Sequence, residues 1–316
     1  MVDPSTLKIT GRVPAGPDPH EVVASSDGKL AFVSNYGGLQ SSLHTISVID
    51  LVAQKALPPI DLGAIRGTHG LDFAGGKLYF TAEPNKLIGR IDPATMKVDW
   101  VLGIGQNRTH MLNVARDLSR IFTSNVNSDS ISIIDQSVPA LGPPPGPPPG
   151  PASPPSGYPP PPNSNQKDWN VTTISVGNGP EGFDVSPDGT ELWAANSHDA
   201  SVSIINIASK KLVQTLSVPS RMANRLKFTL DGKLVLISDL GTGDLIILDA
   251  AQRKEIKRLK LGRGCAGILL SPDGAHAFVA VSSDDKLIVL DLKTLEVTAE
   301  LATGKQPDGL AWAQRN

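Results

Sequence analysis

The chain has 316 residues, a formal net charge of −2 and 19 % charged side chains, so it offers no basic field to hold a polyanion, and neither nucleic acid nor a membrane is an expected partner. Aromatic residues make up only 4 % while glycine (30) and proline (27) are abundant, which points to an all-β chain with many turns and an aliphatic core. Cys265 is the only cysteine, which excludes an intrachain disulfide, and no run approaches the roughly 20 apolar residues of a membrane-spanning helix.

Met1-Val2-Asp3-Pro4 carries neither a basic segment nor an apolar run. The sequence as it stands therefore reads as soluble and cytoplasmic, or as extracytoplasmic if a leader was removed. A short strand is expected over Leu7 to Val13. From Pro19 onward a unit begins that recurs along the chain: PHEVVASSDG, then KLAFVSN, then TISVIDL. Further copies start at Thr68 and Thr109. Each Asp-Gly or Gly-Gly pair supplies the positive φ of a tight hairpin, and alternating Val, Ile and Leu suit half-buried strands.

A proline-rich stretch at about 139–168 interrupts the third copy, between its third and fourth strands. Gly142, Gly146 and Gly150 recur every four residues, which rules out a collagen triple helix and leaves a polyproline II or disordered insertion. It reads as a spacer or as a docking motif for a proline-binding partner. The repeat resumes at Gly179 (GPEGFDVSPDG, ELWAA, SVSIINI, KLVQTLSV), again at Ala223 and again at Gly264. Gly309 to Ala313 reads as one last inner strand.

Aligned first strands begin at His20, His69, His110, Glu181, Asn224, Ala266 and Asp308, with spacings of 49, 41, 71, 43, 42 and 42 residues. Seven starts of four-stranded antiparallel units predict a single domain over 1–316, a seven-bladed β-propeller. Its last blade is short and is closed by the N- and C-terminal strands.

The segment PEGFDVSPDGTELWAANSHDASVSIINIASKKLVQTLSV resembles one repeat of the YVTN family of β-propellers, with FVSNYGG and AANSHD standing where that family has its Tyr-Val-Thr-Asn motif. The resemblance covers the chain outside the proline-rich stretch. It implies a propeller, but similar propellers include surface-layer modules, lactonases, lyases and electron-transfer subunits, so fold does not select function.

In such a blade the starts of the first strands and the second-to-third loops share one face around the axis. That face gathers His20, His69, His110 and Glu181 from consecutive blades, and the loops add Asn35, Tyr36, Glu83, Asn125, Asn196, His198 and Asp239. Imidazoles and a carboxylate suit a divalent Zn, Mn, Fe or Cu ion, so His20, His69, His110 and Glu181 are candidate metal ligands. Asp308 and Glu181 are candidate catalytic groups, Asp308 as acceptor of a proton from metal-bound water. Arg66, Arg108, Arg221 and Arg263 precede first strands by two or three residues and would form a collar for an anionic substrate. Asn224 and Tyr36 complete the expected substrate contacts.

The function expected from these residues is a metal-dependent hydrolase, lactonase-like, or a lyase, acting on a small anionic carbonyl or lactone compound. The competing expectation is a non-catalytic propeller that binds a peptide, glycan or protein.

Overall fold

The computed structural model describes residues 1–38, 40–137 and 168–314 and is built almost wholly of short antiparallel strands. Six four-stranded sheets succeed one another, spanning 19–61, 68–103, 109–175, 180–217, 223–260 and 265–302, here numbered blades one to six. Strands pair in chain order within each blade. First strands of successive blades pack together, and fourth strands such as Lys211–Ser217 are largely exposed, which is the arrangement of a β-propeller.

The expectation of seven blades is corrected to six. Among the described residues, neither terminal segment forms the strand expected of it. Lys8–Ile9 pairs with Val2–Asp3 in a two-stranded ribbon, so Leu7 to Val13 is no blade's outer strand. Residues 303–314 carry no strand. They instead fill the place between blades six and one: Gly309 N donates to His20 O at 3.1 Å, and Trp312 packs on Phe278 with ring centroids 6.0 Å apart.

The repeat works through a few reused contacts. After four of the first strands a hydroxyl donates to an aspartate two residues on, Ser25 to Asp27 at 2.7 Å, Ser186 to Asp188 at 2.6 Å, Thr229 to Asp231 at 2.7 Å and Ser271 to Asp273 at 2.5 Å. The glycines just beyond, Gly28, Gly189, Gly232 and Gly274, have φ between 64° and 71°, which any side chain would strain. The asparagine closing a second strand is equally specific. Asn196 Nδ2 donates to Ser201 at 2.7 Å and Ser203 at 2.9 Å, and Asn125 Nδ2 to Ser130 at 3.2 Å and Ser132 at 2.9 Å.

The core is a ring of interfaces rather than one centre. Each main apolar cluster joins two neighbours: Phe32 and Ile46 of blade one with Leu78 and Phe80 of blade two, or Trp193 of blade four with Val235 and Ile246 of blade five. The third residue of each second strand, Phe32, Tyr79, Phe122, Trp193, Leu236 and Phe278, is large and buried. Blade six meets Leu7, Leu310 and Trp312 of the two terminal segments, which complete the ring of apolar contacts.

The proline-rich stretch lies outside the described residues apart from Asp168. Its flanks, Ser130–Ser137 and Asp168–Ser175, pair as third and fourth strands of blade three. Among the described residues no helix is long and apolar enough to cross a membrane.

Candidate functional site

Every first strand loses register with its second strand just after it begins, for example between Pro19 and Val22, Thr68 and Leu71, Thr109 and Leu112, and Pro180 and Phe183. These irregularities contain His20-Glu21, His69-Gly70, His110-Met111 and Glu181-Gly182. A bulge re-aims side chains that regular pairing would send to alternate faces. Hydroxyls of the second strands tie the bulges of blades two, three and five to the next blade: Thr81 Oγ1 accepts from Gly70 N at 2.9 Å and donates to His110 O at 2.7 Å. Ser124 does the same for Met111 N and Glu181 O, at 3.2 and 2.8 Å.

The three histidines converge. The His69 ring stacks on His110 with centroids 3.7 Å apart and lies 4.6 Å from His20. Tyr36 stands edge-on to both His20 and His69, at 5.1 and 4.8 Å. His110 is enclosed between carboxylates, Nδ1 donating to Glu83 Oε1 at 2.5 Å and Nε2 lying 2.7 Å from Glu181 Oε2. Arg108 adds a 3.1 Å contact from Nη1 to Glu181 Oε1, and Tyr36 donates its hydroxyl to Glu83 Oε2 at 2.7 Å. On the other side, His20 Nδ1 is 2.8 Å from Asp308 Oδ2. Arg225 pairs with Glu21 across the axis and lies 3.8 Å from Asp308 Oδ1.

Electrostatics split the histidines. Burial disfavours a charge on His110, but Glu181 and Glu83 outweigh it and raise its pKa, so it is held as imidazolium. Burial likewise opposes ionisation of Glu181, yet His110, Arg108 and Arg225 hold it down at about 2. Burial lowers the pKa of His69 well below the ordinary value, His110, His20, Arg225 and Arg108 act in the same direction, and the ring is neutral. Its Nδ1 is buried without a hydrogen-bond partner, as is Asp308 Oδ1. Two overlapping sets of three residues, His20 with Glu21 and His69, and His69 with Glu83 and His110, bring ligand atoms within 4.8 Å of one another.

His20, His69, His110, Glu181, Asp308, Tyr36 and Arg108 thus belong to one cluster. Asn224 sits at its edge, its Oδ1 accepting from Arg225 Nη1 at 3.2 Å. The expected arginine collar is corrected to Arg108 alone. Arg66, Arg221 and Arg263 are exposed, because their backbone N–H groups are tied to Asn85 and Asp284 of second-to-third loops and to Asp239 at the end of a second strand, at 2.8, 2.8 and 2.7 Å for Arg66, Arg263 and Arg221. Arg263 Nε is spent on Asp284 at 2.7 Å. Arg108 stands one residue nearer its strand, at φ 54°, and turns inward.

Sequence reasoning passed over Glu21 and Arg225, and it left Glu83 on the right face without a role. Alternation assigns the residue after each strand start to the opposite face, and only the bulge brings Glu21 and Arg225 to the axis. For Glu83 a signal existed: it is the one acidic side chain directly after a second strand, and it lies in the blade of His69.

No family model matches the sequence, and no curated protein matches it. Similar solved structures include hydrazine synthase of Kuenenia stuttgartiensis, with TM-score 0.72, 18 % identity, and coverage of 97 % of this chain and 93 % of that one. The Cps50 (Swd1) β-propeller domain of Myceliophteria thermophila has TM-score 0.72 and 11 % identity over 97 % and 92 % of the two chains. A functionally unknown protein from Desulfotomaculum acetoxidans DSM 771 has TM-score 0.72 and 13 % identity over 98 % and 92 %. At these identities the likeness carries the fold and no activity. The chain is a β-propeller whose function must be read from its own axial cluster.

Proposed function

We propose that the axial cluster binds one divalent cation through His69, His20 and Glu21, and that this ion serves a hydrolase or lyase acting on a small carboxylate-bearing carbonyl or lactone compound. The observation that carries the proposal is His69: a neutral imidazole with a buried, unpartnered Nδ1, beside two further donors within 4.8 Å. A neutral imidazole is the form that ligates metal, and a buried unpaired nitrogen is costly unless something fills it. Charge agrees, since four carboxyl groups, on Glu21, Glu83, Glu181 and Asp308, face two guanidinium groups and one imidazolium. A divalent cation offsets that excess and lets an anion approach Arg108.

His110 and Glu181 are less suited as ligands than their positions suggested, because each satisfies the other. Their part is to fix the wall of the site against His69. Asp308 holds His20 through Oδ2, the kind of support that would orient a metal-ligating imidazole, and its unpartnered Oδ1 would accept a proton from water that a bound ion activates. The bound ion would polarise the carbonyl, and Arg108 would hold the carboxylate. The YVTN character of the blades belongs to the same proposal, supported by the strand-closing roles of Asn125 and Asn196 and by Asn35, whose Nδ2 donates to Thr45 at 2.8 Å and whose Oδ1 accepts from Ser47 at 3.1 Å.

Elemental analysis of protein purified without chelator tests this. About one equivalent of divalent metal is expected, lost in His69→Ala and kept in Glu181→Gln. Metal-free protein that also takes up none of Zn, Mn, Fe or Cu overturns the metal reading and leaves a recognition module, which the mutual pairing of Arg225, Glu21 and Asp308 would then explain.

A further inference from the structure

We infer that Tyr36 determines which ligands reach His69, restricting the axial site to small molecules that enter beside His20 and Arg108. This rests on the metal site proposed above for the identity of the ligands, though the shielding itself does not require a metal. Nine residues, 36–44, separate the second and third strands of blade one, whereas four do so in each of the other blades. Tyr36 itself sits where every blade has the first residue after its second strand, as Glu83 does in blade two, and the extra length follows it. Its backbone N–H donates to Asp18 O at 3.0 Å, and Gly37 N donates to Asp18 Oδ2 at 2.8 Å. Gly37 and Gly38 come next at φ 68° and 79°, turning the chain back sharply.

Farther along, Leu43 O accepts from Gly67 N at 3.0 Å, anchoring the loop on blade two. The Tyr36 ring is thereby fixed at both ends. It meets His20 and His69 in T-shaped contacts, and its hydroxyl reaches Glu83 on the neighbouring blade at 2.7 Å. The result is graded access. The side chains of His20, Arg108 and Asp308 remain 32 %, 21 % and 18 % exposed, while His69 is 1 % exposed. Among these side chains, His20, Arg108 and Asp308 face solvent, and a ligand bound for His69 would enter beside them. That entrance carries one guanidinium, Arg108, which turns inward onto Glu181 but keeps part of its side chain exposed to meet a small monocarboxylate, while the Tyr36 ring leaves no room for bulky groups at the carbonyl end.

Diethyl pyrocarbonate, which acylates neutral imidazoles, reads the shielding on metal-free protein by peptide mass spectrometry, with the exposed His198 as internal reference. His69 is expected to react at least tenfold faster in Tyr36→Ala than in the wild type, with His198 unchanged. Tyr36→Phe keeps the ring and is expected to keep His69 protected, which also guards against a misfolded alanine variant. Equal His69 rates in wild type and Tyr36→Ala, or a wild-type His69 as reactive as His198, overturn the inference.

Size selection is read on Co²⁺-loaded protein, where 4-phenylimidazole is expected to bind at least tenfold more weakly than imidazole in the wild type and equally well in Tyr36→Ala. A ratio that Tyr36→Ala leaves unchanged also overturns it. Absence of Co²⁺ uptake counts against the metal proposal, and the acylation rates then decide the role of Tyr36 alone.

Discussion

Glu181 shows how the cluster stores stability in charge pairing. It is buried, and burial alone would raise its pKa, but His110, Arg108 and Arg225 hold it at about 2, below the ordinary 4.5. A depressed carboxylate stabilises the fold fully above its unfolded pKa and loses that contribution as pH falls through the folded value. His110 has the opposite sign: its raised pKa contributes below 6.5 and fades as pH rises through the folded value. Urea unfolding of wild type and Glu181→Gln from pH 6 to pH 3 separates the two. The wild type is expected to lose on the order of 2 kcal/mol more than the variant over that range. Parallel pH profiles would show that the His110–Glu181 contact holds no net stabilising charge.

At the scale of the strand, the decisive feature is the bulge at each strand start, and it accounts for what the sequence could and could not reveal. His20, His69, His110 and Glu181 were legible as equivalent positions because the repeat frames them. Glu21 and Arg225 were not, since period-two alternation turns them away from the axis. Glycine occupies the same position in blades two, four and six for a packing reason. A Cβ on Gly70 would lie 2.5 Å from His110 O, and one on Gly182 would clash with Asn224 O and come within 2.6 Å of the Arg225 Cα. Neighbouring first strands approach that closely only without a side chain. Gly182→Ala is expected to cost about 1–3 kcal/mol of unfolding free energy through forced backbone shifts, measured by the same urea titration. A variant as stable as wild type would mean that the blades can part at no cost. The arginines failed as a collar for a related reason: three of them lie one residue too far from the strand, where an Asn or Asp side chain ties their backbone outward.

For the whole molecule, length and repeat made the β-propeller legible, but the count of seven was one blade too many. Strand starts were counted by pattern, and Asp308-Gly309 matches the pattern. The residues beyond Gly309 find no second strand to pair with, so the terminal segment lies against His20 and Phe278 instead of building a sheet. That segment nonetheless delivers Asp308 to the axial cluster, beside His20 and Arg225. Closure of the ring and completion of the site are thus the same event. The central claim is that this closed ring presents His69, His20 and Glu21 to a divalent cation. Anomalous diffraction from crystals soaked in Co²⁺ or Zn²⁺ tests it most directly. A peak about 2.0–2.2 Å from a His69 ring nitrogen, shared with His20 and Glu21, is the expected result. A His69 nitrogen facing only ordered water at saturating metal would contradict it.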